Sequence, residues 1–91
     1  MNLWQRQLLA QIVKDPTPAG LRWPKIESAR RALGGATNAR SGSGVRFALN
    51  GVRAVFHRPH PRPETKRAAV RAVRDFLTAA GILPAPETPD A

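Results

Sequence analysis

The sequence predicts an α+β fold, a two-layer sandwich in which helices cover one face of a small antiparallel sheet. Three observations carry this. Asn50-Gly51 sits between two alternating apolar runs, the pattern of a two-residue β-hairpin. Apolar residues recur at helical spacing in three other segments. Glycine and proline clusters separate these segments from one another.

Residues 2–14 read as a helix capped by Asn2. Trp4, Leu8 and Ile12 recur at i, i+4 and i+8, with Leu9 and Val13 widening the stripe. Asp15-Pro16-Thr17-Pro18-Ala19-Gly20 ends it, because proline cannot continue a helix. A second helix starts at Pro24, where a missing N–H costs little. Its stripe is Ile26, Ala29 and Leu33, and Gly34-Gly35 stops it in the left-handed position that follows a helix. Trp23 packs ahead of this helix as a staple against its first turns; a base-stacking platform is the other use of that ring. Residues 36–40 form a short edge strand, with Thr37 the one β-branched residue.

Ser41-Gly42-Ser43-Gly44 leads into the hairpin. It is no Walker loop, since no Gly-Lys-Ser/Thr follows. A type I′ turn at Asn50-Gly51 needs positive φ at both central residues. That turn sets Leu49 opposite Val52, Phe47 opposite Ala54 and Val45 opposite Phe56, six apolar residues on one face. The other face pairs Ala48 with Arg53, Arg46 with Val55 and Gly44 with His57. A slip of one residue would bury the arginines, so the pattern fixes the register. Pro59, Pro61 and Pro63 then hold the chain extended and forbid further ladder bonding. Thr65 caps a last helix through Ala80, with Ala69, Val73, Phe76, Leu77 and Ala80 buried and Arg67, Arg71 and Arg74 opposite. Gly81 and Ile82 complete a Schellman end.

Composition bounds the function. With 91 residues and 42% hydrophobic content, the chain builds one core. It has no cysteine, which removes disulfides, thiolate zinc sites and cysteine nucleophiles, and a reducing cytoplasm fits. No apolar run approaches the ~18 residues of a membrane span, and residues 1–14 do not read as a signal peptide. Fifteen basic residues against six acidic ones give a net charge of +9. On so small a domain, that charge points first to a nucleic-acid phosphate backbone. An anionic membrane fits worse, for want of a helix with a lysine-rich face opposite bulky apolar residues.

No acidic residue lies in the hairpin, and two histidines three apart without a carboxylate do not make a zinc set. What remains is His57 among arginines. Histidine titrates in the neutral range and can move protons there. Arginine offers forked hydrogen bonds to phosphate. His57 is thus a candidate general acid–base, with Ser43, Arg46, Arg53, Arg58 and Arg67 as candidate RNA-binding residues. The competing reading makes His57 an ordinary strand-end histidine. His60, between two prolines, reads as a turn-fixing residue.

Several stretches together resemble the HicA-type toxins of bacterial type II toxin–antitoxin modules. They are Gly42-Ser43 opening a strand, Phe47 within it, the run from Asn50 to Pro61, and the closing Phe76-Leu77-Thr78-Ala79-Ala80-Gly81-Ile82. The resemblance covers residues 21–83, behind an N-terminal helix and linker (1–20) and ahead of a flexible tail (84–91). It implies a double-stranded-RNA-binding-like α-β-β-β-α sandwich, here with an extra N-terminal helix. It also implies a cytoplasmic mRNA endonuclease that needs no metal or other cofactor and is held inactive by a HicB-type antitoxin. The family's usual catalytic histidine directly follows Gly-Ser, and here that position is Gly44. Either the nuclease is weakened or lost, or His57, facing Gly44, has taken the role. A non-catalytic RNA-binding module and a basic protein-interaction domain are the alternatives.

Overall fold

The computed structural model describes residues 2–39 and 44–83. In chain order the elements are α1 (Leu3–Ile12), β1 (Leu21–Arg22), α2 (Trp23–Ala32), β2 (Ala36–Ala39), β3 (Gly44–Leu49), β4 (Val52–His57), β5 (Glu64–Thr65) and α3 (Arg67–Ala79). β2, β3 and β4 form an antiparallel sheet in that order, and β1 pairs antiparallel with β5 in a separate two-stranded ribbon. The sequence predicted the first sheet and missed the second, because two-residue strands carry no periodicity.

The hairpin is as expected. Asn50 and Gly51 both have positive φ (51° and 82°), and β3 and β4 pair Leu49 with Val52 through to Gly44 with His57. Asn50 also ties the turn to the helical layer: its Nδ2 donates to the Ala80 carbonyl at 2.7 Å. Val45, Phe47, Leu49 and Phe56 are buried. Phe47 is the centre of an aromatic cluster, stacked on Trp23 at 5.7 Å, tilted to Phe56 at 4.9 Å and edge-on to Phe76 at 6.0 Å. Trp23 is therefore core and offers no ring to a base.

Three helix expectations need correction. In α1 the buried stripe is Gln5, Leu8 and Ile12, while Trp4 is 37% exposed. Leu8 and Ile12 keep their expected places, and only the first turn differs: Gln5 is held in a capping box, in which Asn2 Oδ1 accepts from the Gln5 N–H and Gln5 Oε1 accepts from the Asn2 N–H. Thr65 does not cap α3. It lies in β5 opposite Leu21, and its buried hydroxyl has no hydrogen-bond partner among the described residues, so Lys66 occupies the cap position. In α3 Val70 is fully buried and Ala69 only half so. Both helix ends with glycine behave as expected. Ile82 N–H donates to Leu77 O and Gly81 N–H to Thr78 O, the two bonds of a Schellman end. Gly34 and Gly35 repeat the pattern on α2. At Gly35 a Cβ would lie 3.1 Å from the Ala48 carbonyl oxygen and 3.0 Å from Arg30 Cδ, so glycine lets the chain turn close under β3.

Arg30 explains that tight passage. It is buried, donates from Nη1 to the Gly35 carbonyl at 2.5 Å and lies over the Phe47 ring at 5.4 Å. Burial pushes its pKa down.

Candidate functional site

The outward face of the sheet is built by alternation. Along β4, Arg53, Val55 and His57 point away from the helices and are exposed, Val55 by 53%. β3 sets Ala48, Arg46 and Gly44 directly opposite them. Arg46 therefore faces Val55 and lies diagonal to both His57 and Arg53, at the ~7–8 Å typical of such neighbours. Arg46 is half-buried and Arg53 exposed. The sheet thus presents one imidazole and two guanidinium groups around an exposed valine.

Not every candidate joins this group. Ser43 lies outside the described residues, as does the proposed tail. Arg67 donates from Nε to the Thr17 carbonyl at 3.0 Å, which ties α3 to the segment before β1. Arg58 follows His57 but points the other way. Its Nε donates to Glu27 Oε2 at 2.9 Å and its Nη2 to Glu27 Oε1 at 3.2 Å. Trp23 Nε1–H also donates to Glu27 Oε2. His60 is exposed in the loop after β4.

Glu27 was invisible as a site residue in the sequence, where it is one charge on a helix surface. In the structure it joins α2 to the end of β4, with its side chain 14% exposed. The hydrogen bond from Arg58 holds its carboxyl below the usual glutamate range; the Arg58 charge, the Trp23 indole and Arg30 act the same way, and burial opposes them. Arg58 is raised in turn by the same carboxylate. A carboxyl with a folded-state pKa below its unfolded one stabilises the fold above the unfolded value, near 4.3, and loses that contribution as pH falls through the folded value. The melting-temperature gap between the native chain and Glu27→Gln should therefore be widest above about pH 5 and close in stronger acid. A gap independent of pH would contradict the ion pair.

Beside this pair, α2 and the loop after β4 border an open cleft of about 350 Å³, with Glu27, Arg31 and Arg58 contributing its charged groups. Among the described residues, no three of the histidine and acidic side chains gather as a metal site, and no helix is long and apolar enough to cross a membrane.

No curated protein and no solved structure matches this chain. A family model does match, described as the HicA toxin of bacterial toxin–antitoxin modules, over residues 23–82. That span takes in α2, the three-stranded sheet and α3, the helix-backed sheet expected of a double-stranded-RNA-binding-like sandwich. The chain belongs to the HicA family, the toxins of bacterial toxin–antitoxin modules.

Proposed function

We propose that this toxin is a metal-independent endoribonuclease that cleaves mRNA in the bacterial cytoplasm, with His57 as its general acid–base and a HicB-type antitoxin as its inhibitor. The observation that carries the reading is the exposed imidazole of His57, paired across the hairpin with Gly44; the resemblance puts the family's usual histidine at position 44, and the reading takes His57 to act in its place. Cross-strand Cβ atoms lie ~4.5–5.5 Å apart, so a side chain on either strand reaches much the same volume.

The chemistry needs few parts. The imidazole takes the proton of a ribose 2′-OH. The 2′-oxygen then forms a bond to phosphorus, and the bond from phosphorus to the 5′-oxygen breaks. The imidazolium returns its proton to that leaving oxygen, giving a 2′,3′-cyclic phosphate and a 5′-hydroxyl end. Arg46 and Arg53, with Ser43, hold the phosphate as charge builds on its equatorial oxygens. The net charge of +9 draws RNA to the protein, and Arg46 and Arg53 supply the cations of this face.

Incubating purified, antitoxin-free toxin with RNA in EDTA tests the proposal. Fragments ending in a cyclic phosphate are expected. Intact RNA that nevertheless stays bound would make the toxin an occupancy inhibitor on the same face, and intact RNA with no binding would favour a protein-docking domain. Binding should weaken with salt, with a log–log slope of roughly −0.7 per phosphate contacted on single strands, so Arg46→Gln should flatten it by about that amount.

A further inference from the structure

The cleft between α2 and the loop after β4 is chemically specific, and the cleavage chemistry makes no use of it. Its walls combine proline rings with a carboxylate and two guanidinium groups. Pro59 and Pro63 are half-buried and Pro24 is exposed, and all three line the space, giving it an apolar wall. Trp23 contributes its indole edge, fixed by its bond to Glu27. A volume of about 350 Å³ is at the small end of the ~300–1,000 Å³ of small-ligand sites, which suits one nucleoside phosphate rather than a longer segment.

The polar groups retain unused capacity. Glu27 Oε2 already accepts from Trp23 and Arg58, but Oε1 accepts only from Arg58 Nη2. A carboxylate oxygen has two lone pairs, so Oε1 can take one more donor. Arg58 uses two of its five N–H groups on Glu27 and keeps three. Arg31, in the last turn of α2, is exposed on the rim. The position also fits: Arg58 directly follows His57, so RNA bending round the end of β4 passes from the sheet face to the cleft.

We propose that this cleft is a nucleotide subsite: it holds the nucleotide next to the phosphate at His57, with the base against the proline rings and Glu27 Oε1, and the phosphate on Arg31 and the outer N–H groups of Arg58. The assignment rests on the reading of His57 as the cleavage centre. It predicts base preference. Guanine, adenine and cytosine each offer an amino group to a carboxylate. Uracil has one ring N–H, flanked by two carbonyl oxygens that repel the carboxylate, and binds worst.

The Trp23 indole N–H reports on the cleft directly in a ¹⁵N–¹H spectrum of the full chain; Trp4→Phe assigns its signal. Titration with the four nucleoside 5′-monophosphates should move the Trp23 signal saturably, least for uridylate. Inorganic phosphate alone reaches only Arg31 and Arg58 and should move it less than any of the nucleotides that bind. Arg31→Gln, at an exposed position, should weaken the nucleotide affinity about tenfold, the low end for a lost hydrogen bond to a charged group. A Trp23 signal unmoved by all four nucleotides, or moved equally by inorganic phosphate, overturns the subsite. An uncleavable 2′-O-methyl RNA hexamer separates the two readings. If it shifts the His57 ring and leaves Trp23 still, the subsite fails and the cleavage centre stands. If it shifts Trp23 and leaves His57 still, the cleavage centre fails and the cleft remains a nucleotide site.

Discussion

Phe47→Ala is expected to destabilise the protein by about 3–5 kcal/mol, the usual range for removing a buried aromatic side chain. Phe47 is 1% exposed and touches Trp23, Phe56 and Phe76, so no single neighbour can fill the space it leaves. The loss is compounded at Arg30, whose buried guanidinium lies over that ring and would face a cavity instead. Domains of this size have ~5–15 kcal/mol in total, so the variant should be marginal at growth temperature. Urea unfolding measures it, as a lower midpoint with an unchanged slope. Val55→Ala, at a position 53% exposed, is the control and should fall within about 0.5 kcal/mol of the native chain. If Phe47→Ala cost no more than this control, the aromatic cluster would not be the centre of the core.

His57→Ala should abolish growth arrest in cells lacking the antitoxin, and should lower the cleavage rate by ~10²–10⁴-fold, the usual contribution of a positioned proton-transfer group. Folding should be unaffected, because His57 is exposed and its strand is anchored by Phe56. RNA affinity should also persist, because Arg46 and Arg53 remain on the face. Reduced toxicity accompanied by a lower melting temperature would instead assign His57 a structural part.

The sheet was legible because its signals are local. Asn50-Gly51 fixes the turn, the turn fixes the register, and strict alternation separates the face of Phe47 from the face of His57. Long-range pairings were not legible. The ribbon of Leu21-Arg22 with Glu64-Thr65 joins residues more than forty positions apart, and it removed Thr65 from the helix cap that its type favours. Trp4 misled for a related reason: a large apolar ring suggests burial, but in the first turn of α1 the buried side chain is Gln5, which closes a capping box with Asn2. The arginines divide by the same logic. Arg46 and Arg53 are placed by strand alternation, which sequence reveals. Arg58 and Arg67 are drawn away by Glu27 and by the Thr17 carbonyl, partners that only the folded chain brings near.

The central claim is that proton transfer has moved across the hairpin to His57. Single-turnover cleavage of a saturating RNA in EDTA, run side by side on the native toxin and His57→Ala at equal measured affinity, tests it most directly. Cyclic-phosphate products at a rate at least a hundredfold slower in the variant are predicted, on the scale of general acid–base catalysis. Equal rates in the two proteins would contradict it.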